Sequence, residues 1–369
     1  MKIERVEAIA IRIPLSKVFS GSSYKVDSRA TVITRIHLSG GLVSEVYNGD
    51  DRVHGPAIVR IIQDEIAPLI IGESIHAWER IWEKMFALTI ACSDRALAMN
   101  AIACVDTAIW DLLGKSLGVG VCTLLGGYRE RLPIIAIAGY YLPGKQPADL
   151  ADEMAWLRSV GMAGCKVKVG GLSPEQDAER VRHARAGGGP DFIIAVDANR
   201  GWSVADAIRF ARLVEPYDIR WFEEPCHWHD DVRGMAQVRR ATSIPINAGQ
   251  SEVTAAGVRR LLDAEAVDLV NFDASEGGGI TEWRRAAAAC ALLGVQMAHH
   301  EEPQIAAHML AAIPHGTYVE CFPDPERDPL FPGMWADKPL IADGIMEVPS
   351  GPGFGIKLDW ELIARHRIT

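Results

Sequence analysis

The sequence predicts an α/β protein, a (β/α)8 barrel preceded by an α+β capping domain, on three observations. Eight short apolar stretches alternate with amphipathic helical segments over about 190 residues, which is βαβ logic repeated with short connections. Before them, strand-like alternation gives way to helical periodicity, the order expected of an α+β unit. Ionisable residues then recur at the ends of successive strands, the rim where such a barrel collects its chemistry.

The opening stretch alternates at Ile3, Val6, Ala8, Ile9, Ile11 and Ile13, and a second run, 31–38, precedes the turn Ser39-Gly40-Gly41. Ile58, Ile61, Ile62, Ile66 and Leu69 recur at three- and four-residue steps, in a helix that Pro68 is expected to close. A long helix over 93–117 carries Leu97, Ile102, Val105, Ile109 and Leu113, and Gly118 and Gly120 end it. The capping domain is thus expected over 1–127 and the barrel over 128–322. The barrel strands are expected at 133–138, 165–169, 192–197, 219–223, 245–248, 269–272, 295–298 and 318–320. Helices over 176–185, 204–214 and 280–292 lie between them. An eightfold count favours a closed barrel over an open doubly wound sheet.

The 369 residues are 49% hydrophobic and 23% charged, an ordinary globular balance. Net charge is −10, with no basic run, so nucleic acid is not an expected partner. No uninterrupted apolar run reaches the roughly 18 residues of a membrane span. The densest stretch, 286–293, reads as a buried helix, so no membrane partner is expected. Met1-Lys2-Ile3-Glu4-Arg5 lacks a signal-type apolar core or cleavage site. The seven cysteines are odd in number and scattered, and read as reduced packing thiols of a cytoplasmic protein.

The strand ends read in order as Lys166 and Lys168, Asp197 and Asn199, Glu223, Gln250 and Glu252, Asp273, His299 and His300, and Glu320. Asp197, Glu223 and an oxygen donor from strand five suit Mg²⁺, a hard cation. A carboxylate substrate bridging to that ion would place enediolate charge where the metal stabilises it once the α-proton leaves. Lysines two apart on a strand share a face, so Lys168 is the expected base, with Lys166 lowering its pKa by like-charge repulsion. Asp273 is expected to orient His300 as a second base or acid, and a protonated Glu320 to donate to the substrate carboxylate. Singly, each has a bland reading: a solvated lysine edge, turn residues, an ordinary histidine. Together, in strand order, they do not fit an inert scaffold. Glu224, Glu301, Glu302, His227 and His229 read as plain rim residues, with Trp228 near them.

These stretches resemble the enolase superfamily, specifically its mandelate-racemase-like subgroup. The resemblance rests on Lys166-Val167-Lys168, on Asp197-Ala198-Asn199 and the Arg200-Gly201-Trp202 after it, and on Trp221-Phe222-Glu223-Glu224-Pro225. It also rests on Asp273 with Gly277-Gly278-Gly279-Ile280-Thr281, on His300 with Gln304 and His308, and on Glu320. In the first domain, 108–115 and Leu124-Leu125-Gly126-Gly127 match as well. The resemblance covers essentially the whole chain. It implies a TIM-like, modified β7α barrel whose capping domain is completed by 323–369. It also implies one Mg²⁺ per active site, a carboxylate substrate and a homo-oligomer, from dimer to octamer. One departure stands out: where the family has Glu after the strand-five glycine, this chain has Gln250. A neutral amide oxygen still binds Mg²⁺, more weakly, and Glu252 shares its face if the strand continues, so either is a candidate ligand. Counting back from His308 favours His300 over His299.

Capping loops over 19–29 and 47–55 would then sit above the barrel mouth, making Tyr24, Tyr47, Asn48 and His54 candidate substrate contacts, joined by Asn199 and Tyr140. The reaction expected is dehydration of a sugar acid to a 2-keto acid, a hydro-lyase activity. Racemisation or epimerisation of a 2-hydroxy acid, or lactone cycloisomerisation, is the alternative. A degenerate, non-catalytic binding barrel is the reading from another class, and Gln250 is its only support.

Overall fold

In the computed structural model, which describes residues 1–49, 53–227 and 231–368, two long antiparallel strands organise the capping region. They are β1 (Ile3–Ser20) and β2 (Lys25–Leu38), in register from Ile3↔Leu38 to Ser20↔Lys25 with slips after Ile3 and Pro14. The short strand β3 (Val46–Asn48) pairs with β2. On the other edge Ala10 and Ile11 pair with Ile368 and Arg367, so the chain's last described strand joins its first.

Three helices cover this sheet. α1 (Gly55–Arg60) runs into a π-helical segment, Ile61–Ile66, and a last turn, Ala67–Ile70, burying Ile58, Ile62, Ile66 and Ile70. Pro68 does not close the helix as expected. The π segment resets the hydrogen-bond phase, so Pro68 falls in the first turn of the final piece, where its missing N–H is harmless. α2 is Trp78–Phe86 and α3 is Arg95–Leu117. Asp94 starts α3 by accepting from Leu97 N at 3.0 Å, and Gly118 ends it at φ 70°. By length and composition α3 passes for a membrane span, but 83% of that window is buried within the protein, which makes it a core helix.

The barrel strands are β4 (Arg131–Ala138), β5 (Gly164–Lys168), β6 (Ile193–Asp197), β7 (Ile219–Glu223), β8 (Ile246–Ala248), β9 (Leu269–Val270), β10 (Gln296–Met297) and β11 (Val319–Cys321). β4 to β10 pair in parallel in chain order. The ring closes where β11 pairs β4 and Met297 bridges to Gly316. Outside it run α4 (Asp149–Ser159), α5 (Pro174–Gly188), α6 (Val204–Val214), α7 (Asp231–Ala241), α8 (Ala255–Asp263), α9 (Ile280–Leu293) and α10 (Pro303–Ala311). All eight expected strands form, shifted by a residue or two at their ends. Period-two alternation sorts β5: Cys165 and Val167 join the large core shared with the helices, which leaves Lys166 and Lys168 to the other face. Ile135, Ala195, Trp221 and Leu269 form a separate small apolar cluster inside the ring, below the polar layer.

Capping region and barrel meet at the Gly277–Gly279 loop. Gly279, at φ +95°, lies so close to α3 that a Cβ there would sit 2.3 Å from Asp106 Oδ2. That closeness lets Asp106 accept from Thr281 N (2.9 Å) and Thr281 Oγ1 (2.7 Å) at the start of α9, while Trp82 Nε1 donates to Gly278 O (2.8 Å). Burial pushes Asp106 up to about 7, against the pull of the Thr281 hydrogen bonds. Asp106 thus holds its proton more tightly folded than unfolded. Its contribution to stability is complete below the ordinary carboxylate range near 4 and is lost as pH rises through 7. Asp106→Asn should therefore match the parent within about 1 kcal/mol at pH 5 and exceed it by about 2 kcal/mol at pH 8, in urea unfolding.

Candidate active site

The parallel register sets Lys168, Asp197 and Glu223 side by side at the tops of β5, β6 and β7. One turn lower Lys166 lies level with Ala195. Lys168 Nζ reaches Asp197 Oδ2 at 2.6 Å, and Lys166 Nζ bridges Glu223 Oε1 (2.6 Å) and Glu320 Oε1 (2.8 Å). All five side chains are essentially excluded from solvent. Across the mouth, His300 Nδ1 meets Asp273 Oδ2 at 2.9 Å. The strand-end residues expected to act together are brought together.

One charge state differs from expectation. Burial pulls the Lys168 ammonium down, but Asp197, with Tyr24 and Tyr140 behind it, outweighs that and the pKa is raised. Lys166 therefore does not depress its neighbour: each lysine sits in an ion pair, and the carboxylate prevails over like-charge repulsion. Glu320 Oε2 accepts from Lys166 Nζ (2.9 Å) and from Glu301 N (3.2 Å).

Gln250 and Glu252 part company. β8 ends at Ala248 and Gly249 turns at φ +129°, so the face shared along a strand is lost. Gln250 lines the mouth, its N–H donating to Asn271 Oδ1 (3.2 Å) and its Oε1 accepting from Asn271 Nδ2 (3.4 Å). Glu252 turns outward to Arg260 Nη2 on α8 at 3.0 Å and is removed from the ligand candidates. Glu224, expected as a plain rim residue, is buried with Oε1 accepting from Gly249 N at 3.3 Å, and burial pushes it up to about 7.

The β1–β2 turn covers the mouth, with Ser22 Oγ donating to Ala198 O (2.6 Å) and Ser23 Oγ to Asn199 O (3.2 Å). That turn brings the Tyr24 ring to 5.7 Å from Lys168 Nζ, and Tyr140 flanks the same ammonium at 5.9 Å. Tyr24, His54, Asn199, Gln250, Lys168 and His300 line one solvent-open cavity. Asn199, at φ 42°, donates its N–H to Asp197 Oδ1 at 2.8 Å. Tyr47 and Asn48 are corrections. Tyr47 Oη accepts from Trp335 Nε1 (2.6 Å) and Asn48 Nδ2 donates to Ser275 Oγ (3.2 Å), so both, on opposite faces of β3, are enclosed by the fold. His299 is also tied into the fold, its Nε2 accepting from Ala274 N at 3.0 Å, whereas His300 lines the cavity. Trp228, His229 and positions 50–52 of the second capping loop lie outside the described residues.

Sequence reasoning missed the amides and the far side of His300. Asn247 Nδ2 (2.9 Å) and Trp221 Nε1 (3.0 Å) both donate to Glu223 Oε2, and inward alternation on β7 and β8 was the available signal. Glu301 is no bystander: it lines the cavity beside His300 and pairs with Arg29 of β2, a contact with no sequence signal.

The acids fit a divalent cation. Burial pushes Glu223 up to about 8, Lys166 opposes this, and Asp197 and Glu320 add to it, a crowding of negative charge that a cation relieves. The buried amide oxygens Asn199 Oδ1 and Asn247 Oδ1 have no hydrogen-bond partner among the described residues. Two carboxylates and an amide oxygen make an all-oxygen donor set.

A barrel rim carrying paired lysines, acids and an Asp–His dyad defines the enolase type of enzyme, and residues 149–362 match the enolase C-terminal domain-like family. Residues 7–126 match the mandelate racemase / muconate lactonizing enzyme N-terminal domain, and the chain belongs to that family. It is 30% identical to 3,6-anhydro-alpha-L-galactonate cycloisomerase of Streptomyces coelicolor, over 98% of this chain and 99% of that one. It is also 30% identical to arabinonate dehydratase of Saccharolobus solfataricus, over 88% and 87% of the two chains. A mandelate racemase/muconate lactonizing enzyme from a marine actinobacterium, solved in complex with magnesium, superposes with TM-score 0.93 at 43% identity, covering 100% of this chain and 99% of that one.

Asp197→Asn should lower affinity for a divalent cation by at least about tenfold in calorimetric titration, whereas Glu252→Gln should leave it unchanged.

Proposed function

We propose that the protein is a Mg²⁺-dependent hydro-lyase that converts a sugar acid to a 2-keto acid. The observation that carries this reading is the opposition of Lys168 and the Asp273–His300 dyad across one cavity, with Asp197 and Glu223 beneath. Asp197 and Glu223 would hold the ion, with the Gln250 amide oxygen as the third protein donor. When bound, Mg²⁺ supplies positive charge for the substrate carboxylate as negative charge builds on it.

The chain's own groups carry the protons. Lys168 Nζ takes the α-proton, and the C–H electron pair passes into the substrate carboxylate as an enediolate. Lys168 acts as base only after its ammonium has released a proton to solvent, a loss that Asp197 opposes while its full charge faces Nζ. Lys166, held by Glu223 and Glu320, presents its ammonium to the substrate carboxylate. The β-carbon–oxygen bond then breaks with its electron pair leaving on oxygen. His300 Nε2 gives that oxygen a proton, so that water departs and an enol remains to tautomerise. Asp273 at Nδ1 holds the ring in place. Tyr24 and Tyr140 wall off Lys168 from solvent, and Asn199 and His54 contact substrate hydroxyls.

Cycloisomerisation is the second reading, favoured by the full-length likeness to a cycloisomerase. It uses the same base and acid with a ring oxygen as the leaving group, and racemisation or epimerisation would use the pair as two bases. All seven cysteines are free, which supports a reducing compartment such as the cytoplasm. Assembly as a homo-oligomer belongs to the same reading.

Proton NMR in D₂O with Mg²⁺ on pooled aldonic and aldaric acids is the direct test. Growth of 2-keto acid signals is expected, while washout of the α-proton alone, with the skeleton unchanged, would replace dehydration by racemisation or epimerisation. Lys168→Ala and His300→Asn should each cut turnover by about 10²–10⁴-fold with an unchanged circular dichroism spectrum. Full activity in either would break the two-group scheme.

A further inference from the structure

Beside His300 stands a second carboxylate. Glu301 Oε1 lies 3.6 Å from His300 Nε2, on the side opposite Asp273, and its other oxygen, Oε2, pairs with Arg29 Nη1 at 3.1 Å. Arg29 belongs to β2 of the capping region, and its Nη2 also pairs with Asp328 at 3.2 Å. Glu301, Arg29 and Asp328 have side chains only 8%, 6% and 4% exposed, so the carboxylate is held in place rather than solvated. The backbone is held as well: Glu301 and Glu302 both take left-handed φ, 51° and 49°, which bulky side chains rarely adopt. Glu301 N donates to Glu320, and Glu302 accepts from Gly49 N (2.6 Å) and from Ser275 Oγ. Strain retained under this many tethers marks a carboxylate whose position matters.

We propose that Glu301 is a positioning residue for His300, its anchored carboxylate facing Nε2 and keeping a proton there, so that His300 meets the substrate as an acid rather than as a base. The inference rests on the dehydration reading above, in which His300 protonates the departing hydroxyl. An acid in that place is hard to build. His300 is enclosed, and burial pulls its pKa down to about 3. Lys166 and Lys168 on β5 press the same way, while Glu301 is the first charge to oppose them and Asp197 on β6 the next. Asp273 braces Nδ1 from the end of β9. Glu301 itself stays ionised: burial raises it, but Arg29, His300 and Arg327 prevail and its pKa is lowered. When the Nε2 proton passes to the leaving oxygen, Glu301 keeps Arg29 but loses the counter-charge facing Oε1, and so favours reprotonation of the ring for the next cycle. The capping region, through Arg29, thereby helps to set which way the barrel's histidine transfers its proton.

The test compares the Mg²⁺-loaded full chain with Glu301→Gln, which keeps shape and removes charge. With ¹⁵N-histidine labelling and His300→Asn to assign the signal, the His300 ring should lose its proton about one pH unit lower in the variant. The alkaline limb of kcat should move down by the same amount, because an acid catalyst fails sooner when its proton is held less tightly. A folded variant in which both midpoints stay put would overturn the proposal, since a structural loss alone lowers turnover without moving them. Should the glutamine variant not fold, Glu301→Asp withdraws the charge from Nε2 and must show the same shift in smaller measure. An unmoved midpoint there overturns the proposal equally. A parent protein that makes no 2-keto acid yet shows the ring shift would uphold Glu301's hold on His300 and refute dehydration itself.

Discussion

Everything at the mouth of this barrel depends on confining two ammonium groups and three carboxylates in a space without water. Lys166, Lys168, Asp197, Glu223 and Glu320 are all but inaccessible, and each buried ion carries a desolvation penalty of several kcal/mol unless partners repay it. The contacts of 2.6 to 2.8 Å among them do that, pairing Lys168 with Asp197 and Lys166 with Glu223 and Glu320. Removing either lysine would leave its buried carboxylate partner unmatched. The layer is at once a demand on folding and a store of oriented charge for a carboxylate substrate.

The parallel ring meets that demand from below and the capping region from above. Because β5, β6 and β7 share one direction, their C-terminal ends arrive together, and Lys168, Asp197 and Glu223 align without any long-range side-chain search. An apolar cluster of Ile135, Ala195, Trp221 and Leu269 floors the layer. The lid is the β1–β2 turn, pinned by Ser22 and Ser23 to the end of β6. Asp106 holds the start of α9 from α3, and Arg29 holds Glu301 from β2. Capping region and barrel are thus joined through polar contacts that surround the site, so small shifts in docking reach Tyr24, His300 and Glu301 directly.

The Gln250 position gives the site its own character. With Gln250 as the third donor proposed for the cation, the donor set would be one negative charge short of the family arrangement that the sequence resembles. The Gln250–Asn271 pair, together with Asn247 against Glu223, replaces part of the charge-based ordering with amide hydrogen bonds. Lys166 and Lys168 face fewer acids in consequence, a difference in electrostatics that bears on how readily Lys168 gives up its proton.

Local rules, legible in the chain, governed the architecture: short apolar runs between helical segments placed all eight barrel strands, glycines ended α3, and strand-end positions collected Lys168, Asp197, Glu223, Asp273 and His300. Those signals depend on neighbours in sequence and on the single rule that parallel strands end at one rim. What the sequence could not settle depended on where the chain turns after a strand. Gly249 bends away after a strand shorter than expected, so Gln250 stays at the mouth while Glu252 leaves it. A π-helical segment carried α1 past Pro68. Tyr47 and Asn48 are buried because the fold covers both faces of β3, and Glu301 matters because Arg29, far away in sequence, comes to meet it. Sequence alone determined the fold and the kinds of groups at the rim, because both follow from local periodicity. Only the tertiary structure decided their charge states and partners, because a buried charge answers to whichever groups the fold brings within a few ångströms.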